Sequence, residues 1–258
     1  MVEVGKAIPF NVYDAQGRLL LQKSFVIDSK DQLERLFERG MFVNPSDSQD
    51  AVIDNRKFQP FLAFPSLLEE ADVCLTHFLN AEQDSPQRLK HLSGRISDLC
   101  RDDPDACLAL AHTTVVHSFS IQLPLLHAFF VSILGSQLQW PEETLRSVTT
   151  AALIANVGYL SMQDKLNGSH SRLSNEQRAV LREHPDLAVQ IAIKAGIVDE
   201  FCLAIMQQHH EKEDGSGYPL GKDCPPILVE AQVLNLAERY TAMISNRAYR
   251  DRLSVDQA

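Results

Sequence analysis

The sequence predicts a mainly α-helical protein: a helical bundle preceded by a small α+β unit. Two observations carry that class. From about Phe61 onward apolar residues recur at three- and four-residue spacing with no convincing strand between them, the period of a helix face. Before that point, two short runs rich in Val, Ile, Phe and Leu flank a glycine turn and precede a capped helix.

In the first unit, "IPFNVYD" reads as a strand, "AQG" as a turn and "RLLLQKSFVI" as a second strand. Ser29 and Gln32 in "SKDQ" fit a capping box, in which each side chain satisfies an amide at the other's position. Leu33, Leu36 and Phe37 then share a helix face, Gly40 stops the helix, and "MFV" returns as a short strand. This gives an α+β domain over residues 1–45, with the turn-rich "NPSDSQD" opening a linker and helical connector over 46–104. The main helical domain is expected over 105–258.

Helices are expected near 65–80, 86–101, 105–118 and 121–138. The next opens at Pro141 and carries Leu145, Val148 and Ala152 on one side. Ser174 forms a second capping box with Gln177 and starts a helix that turns Leu181, His184, Ala188 and Ile191 inward. Another has Ile197, Phe201, Ala204 and Ile205 as its stripe and ends near His209–His210. The last, from about Pro226, presents Leu234, Glu238 and Thr241 on related turns.

A chain of 258 residues with 45% apolar and 22% charged residues has the composition of a soluble globular protein with a sizeable core. Its net charge of −10 argues against nucleic acid as a partner, because phosphate backbones are held by Lys and Arg. A small anionic ligand is compatible with that charge, since a pocket responds to its local field. The 5 cysteines are odd in number and lack a C-x-x-C pair, which suits reduced thiols in the cytoplasm. No basic-then-apolar start suggests a leader, and the most apolar run, Ile121 to Leu134, is interrupted by Gln122, Pro124 and His127. It reads as a core helix, so no membrane insertion is expected.

His184, His209, His210 and Glu238 form a candidate metal set, with imidazole and carboxylate donors that suit Zn, Mn or Fe. Spacing alone leaves two readings open: ligands on several packed helices, or histidines satisfied within a core. Glu238 lies beside Leu234 on its helix, so its burial requires a ligand or a partner such as Arg239 or Arg247. His77, His91, His112, His117 and His127 read as structural, and Trp140 as core.

The string "QHHEKEDGSGYPLG" resembles the signature of the HD-GYP family, metal-dependent phosphodiesterases that hydrolyse cyclic di-GMP. The segment "RLSNEQRAVLREHPDLAVQI" resembles the family helix that supplies a ligand, here His184, and "VLNLAERYTAM" the helix whose acidic ligand falls on Glu238 instead of Asp. "SNRAYRDRLS" resembles the closing Asp-Arg-Pro-Tyr-Arg segment, with Asn246 and Ala248 as departures. The resemblance covers roughly 105–258 and implies an HD-type helical bundle. Family domains continue for several turns past "RLS", so the resemblance also implies a domain truncated at its C-terminus, with exposed apolar surface that favours a homodimer.

The resemblance breaks at "AALIANVGYL", where the family carries His-Asp and then Lys. Here those places hold Ala155, Asn156 and Tyr159, and the family's upstream His-Ser falls on Leu123-Pro124. A methyl group cannot ligate, and a neutral amide lacks the charge with which a carboxylate bridges two cations. The catalytic set is therefore read as lost, which leaves two outcomes open at His184, His209, His210 and Glu238: one divalent ion (Fe, Mn or Zn), or a metal-free pocket in which the histidines satisfy one another. The family's lysine-bearing loop before "RLSNEQ" is replaced here by "KLNGSHS", in which Lys165 and His170 are candidates to compensate.

Arg247 and Arg250 are candidate phosphate contacts, with surface pairing to Asp251 or Glu211 as the alternative. In the turn, Asp214-Gly215 and Ser216-Gly217 allow positive φ, and Tyr218-Pro219 fixes the exit. In the family this loop docks diguanylate cyclase (GGDEF) domains. The implied function is a bacterial signalling protein of cyclic di-GMP pathways, non-catalytic, that binds a cyclase, a response regulator or the nucleotide. The alternative is a phosphodiesterase with a rearranged metal site.

Overall fold

The β-rich runs of the first unit pair as a two-stranded antiparallel ribbon, β1 (Val12–Tyr13) and β2 (Leu19–Leu21), with Val12 opposite Leu21 and Tyr13 opposite Leu19. These details come from a computed structural model that describes residues 4–8, 11–13, 19–32, 59–116, 118–167, 169, 173–248, 251–254 and 257. Ile8, Val12 and Ile27 bury against one another, with Leu20 and Leu21 beside them. The Gln32 amide donates to Ser29 Oγ at 3.2 Å, whereas its side-chain carbonyl accepts from Asp28 N instead of Ser29 N. The expected helix face of Leu33, Leu36 and Phe37, the "AQG" turn, the "MFV" strand and the linker lie outside the described residues.

The chain divides into two units, Met1–Asn55 and Arg56–Ala258. The second contains α1 (Gln59–Leu79), α2 (Ser85–Asp102), α3 (Pro104–Thr113), α4 (Phe119–Gln137), α5 (Glu142–Ile154), α6 (Leu160–Asn167), α7 (Asn175–Lys194), α8 (Glu200–Gln208) and α9 (Val229–Ile244). A short 3₁₀ turn, Val157–Tyr159, links α5 to α6. Segments expected to act as a connector are part of the bundle itself. Phe64, Leu67 and Phe78 of α1, with Leu89, Leu92 and Ile96 of α2, join the same buried cluster as the later helices.

α4 runs through the middle, packed on α1, α2, α3, α5, α6 and α9. Its 19 residues have a mean hydropathy of 1.5, long and apolar enough to cross a membrane, yet 78% of that stretch is buried within the fold. A helix apolar all round must be covered on every side, and here other helices cover it.

α3 is shorter than expected and stops at Thr113 instead of 118. Its start is fixed by Pro104 in the first turn and by the Asp103 carboxylate, which accepts from Ala106 N at 3.0 Å. Its end follows from Thr113, Thr114, Val115 and Val116, β-branched residues that favour extended backbone. The hydroxyls of Thr113 and Thr114 donate to the Ala109 and Leu110 carbonyls, each at 2.7 Å. Trp140 is partly buried and packs against the core.

Candidate metal centre

Each of two histidines in this centre is oriented by a carbonyl that its own helix leaves unpaired. Pro185 has no N–H, so the Leu181 carbonyl one turn earlier loses its helical partner. The His184 ring takes that place, donating from Nδ1 to Leu181 O at 2.8 Å. At the end of α8 the last carbonyls are unpaired as in any helix. There His209 Nδ1 donates to Met206 O at 2.6 Å. With both Nδ1 atoms as donors, both Nε2 atoms present lone pairs, and these face each other at 3.3 Å.

Burial keeps the rings neutral. Loss of water around His184, reinforced by His209, pushes its pKa down to about 3, and burial brings His209 and His127 down to about 4. Desolvation likewise holds His210 well below the ordinary range. No proton therefore stands between the two Nε2 lone pairs at neutral pH.

Glu238 completes the group from α9. Its Oε2 lies 3.6 Å from His210 Nε2 and 3.8 Å from His209 Nε2. Those gaps are too long for hydrogen bonds. They do suit donors sharing one cation, since metal–nitrogen bonds of about 2.0–2.1 Å at tetrahedral angles set neighbouring ligand atoms about 3.4 Å apart. Donor atoms of His184, His209 and His210 all lie within 4.8 Å of one another. Burial raises the Glu238 pKa, and the Asn156 amide opposes this by donating to Oε1. The donor set, the opposed lone pairs and the outward Nδ1 donors all fit a divalent metal ion.

The altered positions lie in the same place. Ala155 is fully buried in the apolar core. Asn156, next to it, gives its Nδ2 to Glu238, while its own Oδ1 is buried without a partner. Tyr159 packs its ring edge-on against His184, with centroids 4.8 Å apart. His127, expected as a structural residue, also lies beside this group. It is 4% exposed on α4, with Nδ1 unpartnered and 3.8 Å from Glu238 Oε1. The sequence signal was a lone histidine interrupting the most apolar run, one helical turn after Leu123.

The glycine loop is anchored to the same histidines. Tyr218 N donates to His210 O at 3.3 Å, and its ring lies over the His210 ring at 4.7 Å. Gly215 has the expected positive φ of 71°, and Asp214 Oδ1 accepts from Ser216 N at 2.9 Å. Gly217 serves a different purpose from the one expected: a Cβ there would sit 2.5 Å from Glu211 Cα and Lys212 N. The Tyr218–Pro219 bond is cis. Glu211 is not a surface ion-pair partner; it is buried, and its Oε1 accepts from Leu220 N at 2.6 Å and Gly221 N at 3.1 Å. Asn235, which sequence reasoning passed over, donates to the His209 carbonyl at 2.6 Å and ties α9 to the end of α8.

Arg247 is half-buried and donates to Asn167 Oδ1 at 2.6 Å. Arg250, His117 and His170 lie outside the described residues, and Lys165 is exposed on α6. A second histidine–carboxylate group, His77 with Glu82 and Asp84, sits at the turn between α1 and α2. There Arg88 already pairs with Asp84 at 2.6 Å, so the group reads as a surface ion-pair cluster.

The neutral buried histidines make stability pH-dependent. In the unfolded chain a histidine takes up its proton near 6.5, whereas in the folded protein His127 and His209 wait until about 4 and His184 until about 3. Across that window the unfolded state holds more protons, so stability is full above 6.5 and falls as pH drops. The expected loss is up to about 1.4 kcal/mol per pH unit for each histidine. Urea denaturation of chelator-treated protein at pH 7.5, 6 and 5 checks this, and equal midpoints at all three would refute it.

The helical bundle thus brings a buried histidine–carboxylate group together at the meeting of α7, α8 and α9. The profile of the HD-domain family matches residues 84–258, and the chain belongs to that family. Curated relatives include the cyclic di-GMP phosphodiesterase response regulator RpfG of Xanthomonas campestris, 28% identical over 49% of this chain and 34% of that protein. Cyclic di-GMP phosphodiesterase PdeB of Borreliella burgdorferi is 24% identical over 54% of this chain and 35% of its own. The chain thus spans about a third of the length of these relatives. Among solved structures, Bd1817, an HDG"Y"P protein from Bdellovibrio bacteriovorus, superposes with a TM-score of 0.62 at 18% identity, over 94% of this chain and 85% of that one. At that identity the likeness shows the fold.

Proposed function

We propose that this protein is a cyclic di-GMP signalling module of HD-GYP type that holds one divalent ion (Fe, Mn or Zn) and binds nucleotide or a protein partner without efficient hydrolysis. The observation that carries this reading is the pair of His184 and His209 lone pairs held 3.3 Å apart with Glu238 Oε2 alongside. In water such lone pairs would turn apart; a cation between them makes the arrangement favourable. Support for weak chemistry comes from Asn156. In place of an anionic oxygen able to bridge two cations, it presents an N–H donor to Glu238.

Such an ion, when bound, supplies positive charge for an anionic ligand. The protein's own residues hold the neutral donors in place, exclude water with Ala155 and Tyr159, and keep the loop from Asp214 to Pro219 attached to His210. That loop is the surface offered to a GGDEF-domain cyclase or a response regulator. The setting proposed is cytoplasmic.

Protein purified without a histidine tag should carry about one equivalent of divalent metal, the stoichiometry expected of a closed three-histidine, one-carboxylate site. Calorimetric titration of cyclic di-GMP into it should show binding that weakens after chelation, with no turnover in added Mn²⁺. Less than about a tenth of an equivalent of metal under the same closed-site expectation, or turnover abolished by His209→Ala, would overturn the reading.

A further inference from the structure

We propose that His127 is a positioning residue of this centre, which acts with Asn156 to clamp one oxygen of Glu238 so that the other faces the ion. The inference rests on the retained-ion reading above and assigns a role to a residue outside every motif that marks the family. Glu238 projects from α9 with its two oxygens in different surroundings. Oε2 faces His209 and His210, at 3.8 and 3.6 Å. Oε1 receives the Asn156 amide and is 3.8 Å from His127 Nδ1.

Three features single out His127. Its side chain is 5% exposed, so water cannot satisfy it cheaply. Its Nδ1 is buried with no hydrogen-bond partner, and Glu238 is the carboxylate it faces. It also lies four residues after Leu123 on α4, and residues at that spacing share a helix face. The position on that face that resembles a family ligand is apolar here, and the next turn supplies an imidazole.

A movement of about an ångström closes the 3.8 Å gap to the roughly 2.8 Å of a charge-assisted N–H···O⁻ bond. Oε1 then accepts two donors, from Asn156 and His127, and the carboxylate can no longer rotate. Oε2 keeps its lone pairs for the cation beside His209 and His210. The replacement of an acidic ligand by Asn156 thus converts one half of a two-ion layout into a support for a one-ion centre.

The test is Co²⁺ titration followed by visible absorption, with metal counting on the same samples. His127→Leu, which keeps an apolar-compatible volume in the core, should weaken Co²⁺ binding about 10–100-fold and alter the absorption bands at unchanged stoichiometry. His127→Gln, which retains an N–H donor, should recover most of the affinity. In a Glu238→Ala background, His127→Leu should add little, because the clamp has nothing left to hold. Circular dichroism establishes that each variant is folded.

Wild-type affinity and bands in His127→Leu would overturn the proposal while leaving the one-ion centre intact. So would loss of a whole equivalent of metal, which would make His127 a ligand, or an equal loss in the Glu238→Ala background, which would make its role general packing. A wild-type protein that takes up no Co²⁺ would instead remove the underlying reading.

Discussion

Gly158→Ala is expected to destabilise the helical unit by about 3 kcal/mol and to abolish tight metal uptake. A Cβ at this position would stand 2.4 Å from the carbonyl oxygen of His184 and 3.0 Å from its Cα. Both are backbone atoms of α7, held by helical hydrogen bonds, so no side-chain rotation can relieve the clash. Either the Val157–Tyr159 turn or α7 has to move. Either movement shifts His184 relative to His209, whose Nε2 atoms sit 3.3 Å apart. Urea denaturation and Co²⁺ titration measure the two effects, and a variant with the wild-type midpoint and wild-type metal affinity would show that the contact is slack.

The second large effect is expected from Asn156→Asp, a nearly isosteric change. The Asn156 amide now donates to Glu238 Oε1 in a setting where Asn156 is 3% exposed. An aspartate there places two carboxylates in contact, one of which must keep a proton or acquire a cation. Without metal, the variant should lose about 3 kcal/mol of stability at neutral pH and regain it on acidification as the pair takes up a proton. With Mn²⁺, the restored anionic oxygen should admit a second ion and bring cyclic di-GMP hydrolysis about a hundredfold above the protein-free background, where wild type shows none. Unchanged metal stoichiometry together with wild-type turnover would mean that Asn156 is not what limits the chemistry.

Much of the centre was legible because its parts are local. The His184-Pro185 pair works within one helical turn, the proline freeing the carbonyl that the histidine then uses. The loop from Asp214 to Pro219 folds back on His210 and Glu211, so its signature is contiguous in the chain. Ala155 and Asn156 were readable as losses for the same reason. His127 was not: Glu238 is 3.8 Å away in space, with the two on different helices, α4 and α9. Glu211 was missed in another way, since an acidic residue in a charged string reads as solvated, and only the fold brings the Leu220 and Gly221 amides to it.

The end of α3 and the place of α1 and α2 show the same division. Helical periodicity located these segments, but it gave no signal that the β-branched run after Ala111 would outweigh it, or that α1 and α2 would pack into the main core.

The sequence by itself determined the helical bundle, the three histidines with Glu238, and the loss of the family's His-Asp pair. The bundle follows from side-chain period, and the other two from contiguous stretches that resemble the family's motifs, all written in neighbouring residues. Tertiary structure alone decided that Asn156 donates to Glu238, that His127 faces the same carboxylate, and that two histidine lone pairs are held against each other. Such contacts depend on the angle and offset at which helices pack, and packing sums many weak interactions across distant segments that no local pattern records.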